Sequence, residues 1–228
     1  MRTHHDMAVH RNVFDKIVRK HLILPANKRK FEIIVVRGDP RQGRAINIAA
    51  ALARGKYLLT LDDDTALPER NTFEKLINVM ENNSDIGIAG GNNTIPPSAT
   101  NFVKLAMKQL PRRSWKVVPK ITVSDLAEHP CMIMRANEFK NVGGENELIY
   151  RGLDPYLREE FRKINKMVVL VPHVIYHHLP PDSPNKLMRQ FFRNGLQAYL
   201  THKNYPQWVI ETPNHHGTFK RRRNTFYR

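Results

Sequence analysis

A run of three aspartates, Asp62, Asp63 and Asp64, is the sharpest chemical feature of the sequence. Side chains alternate across an extended chain, so Asp62 and Asp64 point to one side and Asp63 to the other. Two carboxylates about 4 Å apart repel by roughly 4 kcal/mol at an effective dielectric of about 20, and a bound divalent cation removes that cost. Hard oxygen ligands favour Mg²⁺ or Mn²⁺. The run therefore predicts a metal site, and the alternative is a solvated acidic turn.

The elements around this run must place it at the edge of a sheet. An apolar strand is predicted over 57–61, directly before the aspartates, with a helix over 44–54 before it and another from Pro68 to Asn82 after it. Further strands are predicted at 31–36 and 86–89. The order strand, helix, strand, helix, strand is typical of a parallel α/β sheet, and ligands bind beyond the carboxyl ends of such strands.

The second half of the sequence is less regular. Residues 92–128 contain four prolines and predict a long excursion over the sheet. The remaining predicted elements are a strand at 131–134, a helix at 155–165, a strand pair or one strand broken at Pro172 within 167–176, and a helix at 185–202.

Charge divides the chain into three parts. The net charge is +16, of which residues 1–30 carry +6, residues 31–184 carry +2 and residues 185–228 carry +8. We therefore expect a basic helical segment at 1–30, a catalytic domain at 31–184, and a basic amphipathic helix with a tail at 185–228. Cationic ends predict an anionic partner, such as a lipid surface, nucleic acid or an acidic protein, unless the charge serves solubility alone.

The expected cellular location of the protein follows from features that the sequence lacks. A single cysteine, Cys131, excludes an internal disulfide framework. No apolar run approaches the roughly 18 residues of a membrane span, and the first ten residues lack the apolar core of a secretion signal. These features predict a cytoplasmic protein, and the basic ends suit peripheral attachment to the inner face of the cell membrane.

The stretch from Gly43 to Asp64 resembles the centre of a family 2 glycosyltransferase of GT-A fold. In that family an alanine-rich helix bearing an asparagine ends in glycine, a strand follows, and the strand ends in an Asp-x-Asp motif. The helix asparagine corresponds to Asn47, and the predicted strand at 31–36 matches the second strand of the family. The resemblance covers roughly residues 31–200.

Downstream motifs keep the order of the family. They are Met134-Arg135 with Val142-Gly143-Gly144, Gly152-Leu153-Asp154 in place of Gly-Glu-Asp, Val171 to His177 as a strand ending in Tyr-His, and Gln190 to Arg193 as Gln-x-x-Arg. Leu153 stands in place of a glutamate, and Asn194 in place of the tryptophan of processive synthases, which argues against processive polymerisation. The strand that normally precedes the one at 31–36 has no match, so the resemblance predicts an N-terminally shortened sheet.

This resemblance implies an α/β fold of GT-A (Rossmann-like) type, with a mostly parallel sheet flanked by helices. It implies inverting, metal-dependent transfer of a sugar from a nucleotide diphosphate sugar to a hydroxyl of a sugar, a lipid-linked sugar or a protein. The implied cofactor is a divalent cation, Mn²⁺ or Mg²⁺. Cell-surface polysaccharide or glycolipid synthesis is the setting that fits such an enzyme.

The resemblance also implies roles for individual residues. Asp154 is the candidate catalytic base, although an aspartate before Pro155 is also typical of a helix N-cap. The candidate metal ligands are Asp62, Asp64 and His177. The candidate nucleotide-sugar contacts are Asp39, Asn47, Asp62, Asp63, Arg189 and Arg193.

The sequence leaves the role of the helix at 185–202 undecided, and it leaves two rival functions to be considered. Arg189 and Arg193 lie four residues apart on one helix face, where they suit either a diphosphate or lipid headgroups. The apolar side chains of this helix suit either a membrane interface or packing on the sheet. The rival functions are a nucleotidyltransferase, for which no glycine-rich phosphate loop is visible, and a basic membrane- or nucleic-acid-binding protein without catalysis. Nucleic acid is the less expected partner, because the middle of the chain is nearly neutral.

Overall fold

The computed structural model describes residues 31–62, 64–109 and 116–210. The α-helices within these ranges are α1 (Gln42–Leu52), α2 (Thr72–Asn82), α3 (Asn101–Gln109), α4 (Ala136–Asn141), α5 (Leu153–Lys163) and α6 (Pro184–Asn204). The strands are β1 (Tyr57–Thr60), β2 (Thr65–Ala66), β3 (Ile86–Asn93), β4 (Thr122–Val123), β5 (Met132–Arg135) and β6 (Met167–His178). Short 3-10 helices cover His129–Cys131 and Pro206–Trp208.

One sheet, flanked by helices, confirms the predicted α/β class. The strand order is β1-β5-β3-β6-β2, and β4 also pairs with β6. The expectation of mostly parallel pairing is wrong for the described strands, because only β3 and β6 pair in parallel among five pairings. Strands β1 and β3 do run in the same direction, as the strand–helix–strand order predicts, but β5 lies between them and is antiparallel to both.

The strand predicted at 31–36 is also wrong. These residues form no strand, and Phe31, Ile33 and Val35 are 49, 40 and 54% exposed. A strand needs a neighbour for its backbone N–H and C=O groups. On one side β1 pairs with β5, and no described strand pairs with its other side. The helical segment predicted within 1–30 lies outside the described residues.

Local patterns predicted four of the helices but not the helices α3 and α4 or the short strands β2 and β4. The helices predicted at 44–54, 68–82, 155–165 and 185–202 are all present, with ends shifted by at most four residues. The excursion at 92–128 holds α3 and β4. None of the helices in the described ranges is both long enough and apolar enough to cross a bilayer.

Two apolar layers hold the sheet between helices. In β5 the side chain of Ile133 packs in one layer with Leu76 and Met80 of α2. Its neighbours Met132 and Met134 pack in the other layer with Phe161 and Leu157 of α5. This alternation is the period-two pattern of a strand that is buried on both faces. Each fully buried large side chain contributes roughly 1.5–3 kcal/mol.

Strand β6 continues through Pro172 because its extra residues form a bulge opposite β3. Between Gly90 and Asn92 the partners on β6 shift from Leu170 to Ile175, which leaves extra residues in a bulge. The buried Asn92 amide donates hydrogen bonds to the carbonyl oxygens of Val171 and Val174 at 2.8 and 2.9 Å. The bulge therefore has satisfied carbonyl groups, and β6 continues to His178 at the sheet edge.

Candidate active site

Three potential metal ligands meet where β1 and β6 end. The chain turns after β1, with the N–H of Thr65 donating to the Asp62 carbonyl oxygen at 3.1 Å. Strand β2 begins at Thr65 and pairs with His178 of β6. The turn thus brings Asp62 and Asp64 to His178, and one ligand atom of each lies within 4.8 Å of the other two. The Nε2 atom of His178 is 3.1 Å from Oδ1 of Asp64.

The structure places His178 in this cluster instead of the predicted His177. Successive side chains of a strand point to opposite faces, so only one of the two histidines can face the aspartates. The N–H of His178 donates to Oδ1 of Asn93 at 3.0 Å, which fixes its register. The Nδ1 atom of His177 lies 2.8 Å from the carbonyl oxygen of Thr94. Asp63, a predicted nucleotide-sugar contact, lies outside the described residues.

The ligand atoms of Asp62, Asp64 and His178, and the charges around them, fit a divalent cation. Burial raises the pKa of Asp62 to about 6; His178 and His129 oppose this shift, and the carboxylates of Asp64 and Asp154 add to it. A carboxylate held among other carboxylates and removed from water gains from a bound cation. Two carboxylates and one imidazole suit Mn²⁺ or Mg²⁺.

The predicted base, Asp154, lies in the first turn of α5. Its Oδ1 accepts a hydrogen bond from the backbone N–H of His129 at 2.9 Å, and its side chain is 29% exposed. The alternative reading of Asp154 as the N-cap is wrong, because the helix begins at Leu153 and the N-cap is Gly152, with φ of 95°. A carboxylate in the first turn is stabilised in its charged form by the helix dipole.

A buried histidine that the sequence did not single out connects these groups. The Nε2 atom of His129 lies 2.8 Å from Oε1 of Glu145 and 3.9 Å from Oδ1 of Asp154, and its Nδ1 lies 3.3 Å from Oγ1 of Thr60. Burial opposes the charge on His129, but the carboxylates of Asp154, Glu145 and Asp62 outweigh it and raise its pKa to about 9. An imidazolium therefore sits among carboxylates at neutral pH.

Asn47 of α1 binds the loop that carries Glu145. Its amide donates to the carbonyl oxygen of Glu145 and to Oε1 of Glu147, both at 2.9 Å, and its Oδ1 accepts from the N–H of Glu145 at 2.8 Å. A Cβ at Gly144, whose φ is +74°, would lie 2.5 Å from Oδ1 of Asn47. Asn47 and the Val-Gly-Gly turn therefore fit each other, and the asparagine holds the loop that carries Glu145.

The other predicted nucleotide-sugar contacts are Asp39, Arg189 and Arg193, and none of them is part of the Asp62, Asp64 and His178 cluster that the described residues form. Asp39, before α1, accepts hydrogen bonds from the N–H of Arg41 at 2.9 Å and from Nε of Arg44 at 2.5 Å. The bond from Arg44 holds the pKa of Asp39 below its usual range. Arg189 and Arg193 line an open hollow of about 290 Å³ together with Pro181, Lys186 and Gln190.

The class of protein follows from this fold and site together with the family comparison. The model of glycosyl transferase family 2 matches residues 14–138. The chain therefore belongs to glycosyl transferase family 2, and the resemblance drawn from its motifs is confirmed. The match includes Asn47, Asp62, Asp64 and His129, whereas Glu145, Asp154 and His178 lie beyond it.

Three relatives show how far this similarity extends. A protein of Methanocaldococcus jannaschii described as an uncharacterized glycosyltransferase is 29% identical over 134 residues, which is 57% of this chain and 45% of that protein. The mannosyltransferase PcManGT from Pyrobaculum calidifontis, solved with GDP-Man and Mn²⁺, has a TM-score of 0.50 at 14% identity, over 80% of this chain and 47% of its own. TarS 1–349 of S. aureus, solved with UDP, has a TM-score of 0.44 at 13% identity, over 75% and 47%. The chain thus spans about half the length of these relatives.

Proposed function

We propose that this chain is an inverting, metal-dependent glycosyltransferase that moves a sugar from a nucleotide diphosphate sugar to an acceptor hydroxyl. The observation that carries the proposal is the meeting of Asp62, Asp64 and His178 at the ends of β1 and β6. The backbone N–H of His129 donates to Asp154, and the charge of its ring acts on Asp62. Such a site has the two parts that the reaction needs, a place for a cation and a carboxylate base.

Asp62, Asp64 and His178 would hold the Mn²⁺ or Mg²⁺ ion. When bound, the ion stabilises the negative charge that develops on the departing diphosphate. The PcManGT structure was solved with Mn²⁺ and a nucleotide sugar, which supports the same pairing here. Asp39 and Asn47 remain proposed contacts of the donor. Arg189 and Arg193, for which the sequence also allows lipid headgroups, lie outside the Asp62, Asp64 and His178 cluster.

Asp154 would take the proton from the acceptor hydroxyl. The hydroxyl oxygen then attacks the anomeric carbon from the side opposite the diphosphate, the new C–O bond forms, and the bond from the anomeric carbon to the diphosphate oxygen breaks. Attack from the opposite side inverts the anomeric centre. His129 positions the base, because its backbone N–H donates a hydrogen bond to Oδ1 of Asp154 at 2.9 Å.

The acceptor is proposed to be a sugar, a lipid-linked sugar or a protein hydroxyl, and transfer is proposed to be non-processive because Asn194 follows the Gln-x-x-Arg segment. Cell-surface polysaccharide or glycolipid synthesis suits such a transfer. Membership of family 2 favours this function over a nucleotidyltransferase and over a nucleic-acid-binding protein. A family member that binds without catalysis is the alternative that the following assay tests.

The test is release of nucleoside diphosphate from a panel of nucleotide sugars, with GDP-mannose and UDP-sugars first, in the presence of Mn²⁺. We expect turnover of at least one donor, transfer or hydrolysis, that ends when the metal is chelated. Asp154→Asn should lower kcat by about 10²–10⁴-fold. The matched control is Asp85→Asn, an exposed aspartate in the turn before β3, which should keep full activity. Equal turnover by the Asp154 variant, or release that survives chelation, would contradict the proposal.

A further inference from the structure

Helix α6 presents its large apolar and aromatic side chains to solvent. Met188, Phe192, Leu196 and Tyr199 recur every three or four residues, which places them on one face of the helix. These residues are 67, 78, 49 and 59% exposed. We call this face the apolar stripe.

The face of α6 that turns towards the rest of the protein is more polar. The partly buried residues of α6 are both polar and apolar, namely Leu187, Gln190, Asn194, Gln197, Ala198 and Leu200. The fully buried one is Thr201, which is 4% exposed. A surface helix stabilised by packing on a core has the reverse arrangement, with its apolar face inward. The orientation of α6 therefore leaves the apolar stripe for a partner outside the described part of the chain.

Cationic side chains border the apolar stripe. Helix α6 contains Lys186, Arg189, Arg193 and Lys203 but no Asp or Glu. Arg189 and Arg193 each follow a stripe residue, so they lie about 100° further round the helix. With Lys186 they line the open hollow of about 290 Å³. An apolar face flanked by cations is typical of helices that lie in the interface of an anionic bilayer.

We propose that α6 is a membrane-docking surface. The apolar stripe enters the boundary between headgroups and acyl chains, and the flanking cations contact the phosphates of anionic phospholipids. The cytoplasmic face of the cell membrane, which is rich in such lipids, is the expected location. Tyr205 and Trp208, stacked 4.8 Å apart just beyond α6, supply aromatic rings of the kind that settle at the interface.

A second copy of the chain suits this surface less well than a bilayer does. Pairing two α6 helices through the apolar stripe brings Arg189, Arg193 and Lys203 of one helix towards those of the other, and α6 itself has no Asp or Glu to offset them. Lys186 is the exception, because its Nζ lies 2.9 Å from Oδ1 of Asp182, just before the helix. An anionic bilayer matches both the apolar and the charged parts of the surface. The stripe residues are not among those proposed for catalysis, so docking and glycosyl transfer can fail independently.

The test is flotation of the full chain with vesicles of phosphatidylcholine alone and of phosphatidylcholine mixed with phosphatidylglycerol. We expect binding at least about tenfold tighter to the mixed vesicles, since each basic residue near an anionic surface contributes about 1 kcal/mol. The variant Phe192→Ser with Leu196→Ser should lose about tenfold or more of the binding, because two exposed side chains no longer enter the bilayer. Leu105→Ser is the matched control, since Leu105 is 61% exposed on α3, and it should bind as the unaltered chain does.

Three outcomes would overturn the proposal. The first is no flotation with either vesicle. The second is undiminished flotation of the double variant with unaltered circular dichroism, which would assign binding to basic residues outside α6. The third is a dimer in analytical ultracentrifugation that the double variant abolishes while flotation is absent, which would assign the apolar stripe to a second copy. Release of nucleoside diphosphate in solution is measured alongside and should be equal in all variants.

Discussion

Asp64 is the most exposed of the three proposed metal ligands and therefore the best one to remove. Its carboxylate is 61% exposed and faces Nε2 of His178 at 3.1 Å, whereas Asp62 is partly buried. We expect Asp64→Asn to fold normally and to weaken Mn²⁺ binding by at least about tenfold, since loss of a first ligand exceeds the 10–100-fold effect of its supporting groups. Isothermal titration with Mn²⁺ measures this, with Asp85→Asn as the control. Unchanged affinity in Asp64→Asn would contradict the cluster.

His129 makes the stability of the fold depend on pH. Its pKa is raised from 6.5 to about 9, so the folded state holds the proton more tightly than the unfolded state. The stabilisation is complete below pH 6.5 and is lost as the pH rises through about 9, with a magnitude of order 3 kcal/mol. Urea unfolding across this range measures the effect. His129→Gln should be less stable than the unaltered chain at pH 6.5 and should approach it above pH 9.

That comparison separates His129 from other groups that titrate in the same range. The glutamine keeps a polar side chain beside Glu145 and Thr60 but carries no proton that titrates. If both proteins lose stability equally between pH 6.5 and 9, His129 is not the source of the pH dependence. If His129→Gln also lowers kcat with KM unchanged, the histidine acts on catalysis through Asp154.

At the scale of elements, close approach at β3 explains why glycine occurs in a fully buried strand. A Cβ on Gly90 would lie 2.7 Å from Cα and 2.8 Å from Cβ of Ala127, and a backbone atom cannot move aside as a flexible side chain does. We expect Gly90→Ala to lower the free energy of unfolding by about 1–3 kcal/mol. The matched control is Gly195→Ala in α6, where nothing lies within 4 Å.

The control is predicted to change stability in the opposite direction. An alanine in a helix interior is favoured over glycine by about 0.5–1 kcal/mol, so Gly195→Ala should stabilise the protein slightly. Denaturant unfolding of both variants gives the comparison directly. A neutral Gly90→Ala would mean that β3 and the segment at Ala127 can separate without loss.

Elements defined by local patterns were predicted, and those defined by distant partners were not. Helix α2 and strand β1 follow from the spacing of their own apolar residues. The segment at 31–36 has an equally strong strand composition but no strand beside it, because pairing depends on a neighbour that composition does not reveal. The insertion of β5 between β1 and β3 is likewise a non-local fact, and it makes the described sheet mostly antiparallel.

The residues of the candidate site also fall into two groups, those that the sequence predicted and those that depend on distant partners. The aspartates and Asp154 stand out because motifs place them next to a strand end and a helix start. The choice between His177 and His178 depends on the register of β6 after its bulge, which Asn92 stabilises from another strand. His129 has no local pattern, since its partners Glu145, Asp154 and Thr60 meet only in the folded chain.

At the scale of the whole molecule, most of the net positive charge and the proposed catalytic residues lie in different parts of the chain. The nearly neutral middle, residues 31–184, carries the proposed catalytic groups, whereas the ends carry +6 and +8. Salt screens exposed charges over about 10 Å at 0.1 M, so it should weaken contacts made by the ends more than those of the half-buried site. Ionic strength is therefore expected to change membrane binding far more than it changes Mn²⁺ affinity.

The site also joins segments that are far apart in sequence, from Asn47 to His178, so a ligand bound there should stabilise the whole fold. A ligand at about 100 times its Kd adds about 2.7 kcal/mol, which corresponds to a rise of roughly 5–10 °C in Tm for a chain of this size. We expect Mn²⁺ together with GDP or UDP to produce this shift in a thermal melt. Asp64→Asn should show little of it, and Asp85→Asn should show all of it. A shift of equal size in Asp64→Asn would mean that nucleotide and metal bind elsewhere, because the cluster at the ends of β1 and β6 would then contribute nothing to their affinity.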